Sequence, residues 1–194
     1  RLILGLETGG VFDGSFAATD GAALSGRISY MAQSDLLLPW LSILENVCIG
    51  ARLRGDVPDH THARDLLRRV GLAEQAHQKP ATLSGGMRQR AALARTLFEN
   101  HPIVFLDEPF SALDAGTRAD MQELAAEVLQ DRTVVLVTHD PAEAARLADQ
   151  IIILSAQNMQ NWPLPDTTAT RDINAPETLN CQSELLSYLR GLPE

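Results

Sequence analysis

The sequence predicts an α/β protein with a mostly parallel sheet. Residues 103–106 are four consecutive apolar residues rich in β-branched and aromatic types, which indicates a strand buried on both faces. Residues 133–137 predict a second fully buried strand, and residues 150–154 predict a third. Helical segments separate these strands, and such strand–helix–strand units form right-handed crossovers in a parallel sheet.

The remaining elements are predicted from caps and turns. Residues 1–4 are typical of the last turn of a helix closed by Gly5, and residues 26–33 alternate as a half-buried strand does. Serine or aspartate precedes each longer helical pattern, as expected of an N-cap. The predicted helices are 43–53 after Ser42, one after Asp59 that buries Leu66, Leu67 and Val70 before Gly71, 85–99 after Ser84, 115–130 after Asp114, and a short one with Ala144 and Leu147.

Composition limits the class of protein. Of the 194 residues, 45% are hydrophobic, which is ordinary for a globular chain, and the net charge of −9 argues against a nucleic-acid partner. The two cysteines, Cys48 and Cys181, have no metal-binding or disulfide spacing, so a reducing cytoplasmic setting is expected. No apolar run is long enough to span a bilayer. The chain begins with Arg1 rather than methionine, which leads us to expect a fragment.

Two carboxylates follow the first buried strand. Asp107 and Glu108 come directly before Pro109, which cannot continue a central strand. The carboxyl ends of parallel strands are where open α/β sheets bind ligands. The first carboxylate suits Mg²⁺, and the second could polarise an attacking water. The alternative is a polar turn with solvated acids.

Three further polar features belong to the same hypothesis. Gln33 follows a strand, as either a turn residue or a ligand-binding amide. His139 follows the second buried strand, so it opens onto the same sheet edge as the acids, although a structural histidine is also possible there. Ser84 with Gly85 and Gly86 opens a helix whose exposed N–H groups attract phosphate, or forms an ordinary cap.

Residues 36–82 predict a helical insert. The insert starts with a Leu- and Trp-rich stretch that is interrupted by Pro39. This stretch is either ordinary core or a docking surface for another protein.

The order of the motifs indicates a family. Gln33 after a strand is followed by LSGGMRQR at 83–90, IVFLDEP at 103–109, SALD at 111–114 and VTHD at 137–140. From residue 1 to about 154 the chain resembles the nucleotide-binding subunit of ATP-binding cassette (ABC) transporters. The resemblance implies the P-loop NTPase fold with a helical subdomain. It also implies four parts: an N-terminal core remnant (1–35), the helical subdomain (36–85), a catalytic core (86–155) and a C-terminal tail (156–194) with a short amphipathic end.

The resemblance implies a role for each motif residue. Asp107 resembles the Walker B aspartate that binds Mg²⁺, Glu108 the catalytic base and His139 the switch histidine on the γ-phosphate. Gln33 resembles the glutamine that contacts the metal and the attacking water. The signature loop, which grips ATP held by the opposite subunit, corresponds to Ser84, Gly85, Gly86 and Met87. Asp114 resembles the aspartate that acts across the dimer. Many family members carry glutamine where this chain has Met87.

One family motif is missing from the sequence. The GxxGxGK[ST] phosphate-binding loop is not found, and the single lysine, Lys79, has no glycines ahead of it. We expect this loop and its strand to precede Arg1. We also expect the printed chain alone to bind ATP weakly and to be inactive, while the parent protein is an ATPase.

The resemblance also implies partners. Residues 38–47 are similar to the branch that imports nitrate, sulfonates or taurine, with thiamine-precursor importers close by. Such a subunit pairs head to tail with a second copy and docks through residues 36–50 on a transmembrane permease at the cytoplasmic membrane face. A substrate-binding protein acts indirectly, and no nucleic acid takes part. The alternatives are a soluble ATPase of the same superfamily and a non-catalytic interaction module.

Overall fold

A three-stranded parallel sheet forms the centre of the computed structural model, which describes residues 2–4, 13–155 and 159–191. Its strands are β1 (Ile28–Met31), β2 (Ile103–Asp107) and β3 (Thr133–Val137), in the order β1-β2-β3. Both pairings are parallel, with Met31 opposite Leu106 and Asp107 opposite Val137. The carboxyl ends of all three strands therefore lie at one edge, as the sequence predicts for β2 and β3.

The described residues also contain seven α-helices. The predicted caps are confirmed: the side chains of Ser42, Asp59, Ser84 and Asp114 each accept a hydrogen bond from a backbone N–H of the first turn. The predicted turn near the start is a 3₁₀ turn at Leu2–Leu4, and Gly5 lies outside the described residues. The helices are α1 (Ile43–Val47), α2 (Ile49–Arg54), α3 (His60–Arg69), α4 (Gly85–Phe98), α5 (Ala115–Val128), α6 (Pro141–Leu147) and α7 (Pro176–Arg190).

The single helix predicted over 43–53 is wrong, because the segment contains two helices. Cys48 separates α1 from α2 with a φ of −86° and a ψ of 2°, outside the α-helical region. Its side chain is fully buried. Tertiary packing around this residue therefore outweighs the helical pattern of the local sequence.

Helix α4 is the centre of the main core. It packs against α1 and α3 on the helical side and against β1 of the sheet. The side chains of Ala91, Ala92 and Ala94 are completely buried, and their small size allows this close approach from several sides. One continuous apolar cluster joins residues of the 36–85 segment to residues of the sheet.

Strand β3 is not the fully buried strand that the sequence predicts. It lies at one edge of the sheet, and Val134, Val135 and Val137 are 38–52% exposed. An apolar run indicates that a strand is suited to burial. Whether the strand is in fact buried depends on distant segments that cover it. Among the described residues, no strand pairs with the outer edge of β3.

The prediction of a third strand in the parallel sheet is also wrong. Strand β4 (Ile151–Leu154) pairs antiparallel with β5 (Met159–Trp162) in a separate two-stranded sheet. The predicted polar tail thus contains a strand, and its predicted short helix is the 15-residue α7. Ile151, Ile153 and Leu185 form a second, smaller core.

Buried guanidinium groups attach this C-terminal segment to the rest of the fold. Arg171 is 6% exposed and donates hydrogen bonds to the carbonyls of Ala145 (3.2 Å) and Ala148 (2.7 Å), at the end of α6. Arg146 donates to Gln122 (2.7 Å) and pairs with Glu123 (2.8 Å), both on α5. A planar group with several donors can satisfy many carbonyls at once, which explains its burial.

The loop before α1 depends on one buried amide. Asn46 is fully buried; its Oδ1 accepts from the Leu38 N–H at 2.7 Å, and its Nδ2 donates to the carbonyls of Leu38, Leu41 and Ser42. These bonds replace the regular backbone pairing that residues 38–42 lack.

We expect Asn46→Ala to lower the free energy of unfolding by about 2 to 3 kcal/mol, because buried backbone groups lose their partner. Urea denaturation followed by circular dichroism measures the change. The matched control is Asn174→Ala, at an exposed position. Equal midpoints for the two variants would contradict the role given to Asn46.

Candidate active site

Glu108 leaves the sheet in an unusual backbone conformation. Its N–H extends the β2–β3 ladder by one hydrogen bond to the Val137 carbonyl (2.9 Å), and its φ is then +47°. Left-handed backbone is uncommon for a residue with a side chain and is further disfavoured before a proline. Such conformations persist only where the surroundings enforce them, and they are concentrated at functional sites.

The carboxylate of Glu108 lies between two predicted site residues. Its Oε1 is 2.9 Å from the His139 Nδ1, and its Oε2 accepts a hydrogen bond from the Gln33 Nε2 at 3.2 Å. The side chain of Glu108 is 22% exposed, and that of His139 is 75% exposed. The structure thus brings together three residues that are far apart in sequence and leaves them open to solvent.

Asp107 lies beside this group at the last position of β2. Its Oδ2 accepts a hydrogen bond from the hydroxyl of Tyr30 at 3.4 Å. Because successive side chains of a strand point to opposite faces, Asp107 and Glu108 would diverge in a regular strand. Both remain at the carboxyl edge, where a ligand can reach them.

The donor set fits a magnesium ion most of whose ligands are water molecules and phosphate oxygens. Among the described residues, no group of three or more His, Cys, Asp or Glu side chains could hold a metal by itself. Mg²⁺ commonly takes only one or two protein carboxylates and completes its octahedron with water and substrate phosphates. Asp107 with the side-chain oxygen of Gln33 meets that limited requirement.

The predicted signature residues form the exposed start of α4. The Ser84 hydroxyl accepts from the Met87 N–H at 3.3 Å, so it acts as the N-cap. Gly85 is exposed and unobstructed, whereas a Cβ on Gly86 would lie 3.3 Å from the Ala112 carbonyl oxygen. Gly86 therefore permits close packing of α4 on the 110–113 loop.

Asp114 occupies a second exposed helix start. Its carboxylate accepts from the Thr117 N–H at 3.1 Å, and this hydrogen bond lowers the pKa of Asp114. No hydrogen bond links Asp114 or Ser84 to Glu108 in the described part of the chain. Both residues are exposed to solvent.

Two groups around the site are absent from the sequence-based prediction. Gln89 bridges the backbone at Glu108 and Ala112, and Arg118 on α5 pairs with Asp140 at 3.1 Å next to His139. Neither has a local pattern that marks it, because both act through contacts between distant segments. Only the position of Gln89 inside LSGGMRQR was a signal.

The loop that carries His139 is supported by a buried carboxyl group. Glu143 is 3% exposed and accepts a hydrogen bond from the Thr138 hydroxyl at 2.7 Å. Burial raises the pKa of Glu143 above its usual value of 4.5, because its ionised form loses hydration. Arg118 offsets part of this effect from 3.9 Å.

We expect Glu143→Gln to be more stable than the unsubstituted chain at pH 8. With a raised pKa the folded state binds more protons than the unfolded state, so stability falls as the pH rises from about 4.5. Glutamine keeps an acceptor for Thr138 and lacks this pH dependence. Urea denaturation between pH 4 and 8 measures the difference, which should disappear near pH 4; Glu184→Gln, at an exposed site, is the control. A pH-independent difference would refute this account.

Comparison with known proteins identifies the family. A parallel sheet with carboxylate, amide and imidazole groups at its carboxyl edge first defines the class: an α/β protein with a ligand site at the strand ends. A family model described as ABC transporter matches residues 2–111. The chain is 40% identical to an uncharacterized ABC transporter ATP-binding protein of Haemophilus influenzae, over 98% of this chain and 81% of the relative. This chain therefore belongs to the ABC transporter family, as an ATP-binding domain.

Other relatives and solved structures agree with this assignment. The chain is 47% identical to the aliphatic sulfonates import ATP-binding protein SsuB of Ralstonia nicotianae, over 96% of this chain and 65% of that protein. It is 44% identical to an SsuB protein of Rhodococcus jostii, over 91% of this chain and 66% of that protein. The chain therefore spans about two thirds of these two relatives. The dimeric cassette MJ0796 bound to ADP and Pi has a TM-score of 0.62 and 34% identity, over 70% of this chain and 62% of that one.

No helix in the described parts of the chain has both the length and the apolar character needed to cross a membrane.

Proposed function

We propose that this chain is part of the subunit that hydrolyses ATP to drive import of a small solute, of the aliphatic sulfonate type. The observation that carries the proposal is the carboxylate of Glu108, held between Gln33 and His139 and next to Asp107. Similarity to relatives named as sulfonate import ATP-binding proteins supports the solute class.

In this proposal Glu108 is the general base. Its carboxylate accepts a proton from the attacking water, which Gln33 orients through its amide. Phosphoryl transfer needs positioned groups and charge stabilisation more than covalent chemistry from the protein. His139 is exposed enough to contact the γ-phosphate while it holds Glu108 in place.

Asp107 and Gln33 are the proposed protein ligands of Mg²⁺, which when bound neutralises charge on the phosphates. Tyr30 holds one carboxylate oxygen of Asp107 and thereby orients the other. A phosphate-binding loop of the kind found in this family would supply the remaining contacts to ATP.

The exposed helix starts support a second subunit as partner. Ser84, Gly85 and Asp114 are exposed. In a head-to-tail dimer, the N–H groups at the start of α4 would meet the γ-phosphate held by the other subunit. MJ0796 forms a dimeric cassette, and this similarity supports the same assembly here.

The surface before α1 is the proposed contact with the permease, at the cytoplasmic membrane face. Leu36 is 62% and Trp40 66% exposed, whereas Leu37 between them is buried. The Leu- and Trp-rich stretch thus contributes to the core and also presents an apolar surface, which is typical of protein interaction sites. The solute-binding protein would act only through the permease.

We expect Glu108→Gln to abolish ATP turnover in the complete subunit, with a loss of about 100-fold or more, because the amide cannot accept the proton. ATP binding should remain, and an ATP-bound dimer should accumulate on gel filtration with Mg-ATP. Phosphate release measures turnover. Glu184→Gln, at an exposed site on α7, is the control.

Normal turnover by Glu108→Gln would exclude Glu108 as the base. Failure of the unsubstituted complete subunit to bind nucleotide would overturn the proposal as a whole.

A further inference from the structure

Gln89 connects helix α4 to the backbone on both sides of Pro109. Its side chain is 5% exposed, and both ends of its amide are used. Nε2 donates to the Glu108 carbonyl at 2.8 Å, and Oε1 accepts from the Ala112 N–H at 2.9 Å. A buried amide is stabilising only when its polar atoms are paired, and here both are paired with the loop that follows Glu108.

The first of these bonds acts on the strained residue itself. The carbonyl of Glu108 belongs to the peptide that follows its left-handed φ of +47°. The Ser111 hydroxyl (3.0 Å) and the Ser111 N–H (3.4 Å) also donate to this carbonyl. The backbone angles at Glu108 determine where its side chain points. Three donors on its carbonyl, together with its N–H bond to Val137, therefore fix the direction of the carboxylate.

A second contact places the same helix against the loop. The Cβ position of Gly86, one turn before Gln89, is 3.3 Å from the Ala112 carbonyl oxygen and 3.4 Å from the Leu113 side chain. The start of α4 and the 108–113 loop therefore behave as one packed unit, in which Gln89 supplies the hydrogen bonds and Gly86 the close approach.

We propose that Gln89 is a positioning residue for ATP hydrolysis: it holds the backbone of Glu108 so that the carboxylate stays between Gln33 and His139. The inference rests on the proposed function, because it assumes that Glu108 is the base. An ordinary buried glutamine would contribute to stability alone. A positioning residue must in addition change the rate of the step in which Glu108 takes part.

The test compares Gln89→Glu, Gln89→Met and Ser111→Ala in the complete subunit. Ionised glutamate keeps an acceptor for Ala112 but cannot donate to the Glu108 carbonyl, and methionine loses both bonds at similar volume. Ser111 is exposed, so its replacement by alanine removes the hydroxyl donor with little risk to folding and leaves the N–H donor in place. Thr96→Val is the matched control, because Thr96 is 3% exposed on the same helix and bonds only within it.

We expect kcat to fall about 10- to 100-fold in both Gln89 variants, since small displacements of a reacting group have effects of that size. KM for ATP should stay within about twofold, because the phosphate contacts are unchanged. Ser111→Ala should lower kcat by a smaller factor. In a Glu108→Gln background, Gln89→Met should leave the residual single-turnover rate unchanged, since the group that it positions is absent.

Wild-type kcat in Gln89→Met and in Ser111→Ala would overturn the inference. An equal fall of kcat with and without Glu108 would also overturn it, by showing a general structural effect. The unsubstituted subunit separates the two claims. If the unsubstituted subunit does not hydrolyse ATP, the proposed function is wrong. If it does, and the Gln89 variants have the same kcat, this inference alone is wrong.

Discussion

The candidate site depends on the parallel pairing of β2 with β3. Their register ends with Asp107 opposite Val137, and the Glu108 N–H adds one last hydrogen bond to the Val137 carbonyl. The two segments then separate, one through left-handed Glu108 and the other through the loop with His139. Because both leave the sheet at the same point, the carboxylate and the imidazole meet without a long loop to carry either.

Helix α4 supports the segments on either side of that pairing. Its Gln89 bonds to the loop after β2, while Arg88 pairs with the Asp35 carboxylate at 3.0 Å and Arg95 donates to the Asp35 carbonyl at 2.7 Å. Asp35 follows Gln33 by two residues, so the segments that carry Gln33 and Glu108 are both anchored to α4. The buried alanines of α4 make this possible, since they let the sheet and the helical region approach it together.

Most of what local sequence determines could be predicted, and most of what distant packing determines could not. The caps at Ser42 and Asp114, the acids after β2 and the meeting of His139 with Glu108 follow from short patterns and from the rule for parallel strands. The pairing of β4 with β5 and the exposure of β3 depend on which segments cover each strand. An apolar run does not contain that information. The supporting bonds of Gln89 were unpredictable for the same reason.

Helix α6 lies between the loop that carries His139 and the C-terminal segment. Its first residue, Pro141, follows His139 by two positions, and the carbonyls at its far end are held by the buried Arg171. Seven residues of helix form a short rigid rod, about 10 Å long. A displacement of the C-terminal segment, by a fused domain or a surface attachment, would therefore reach His139 through about two turns of helix. The position of the C-terminal segment is in this sense coupled to that of the His139 loop.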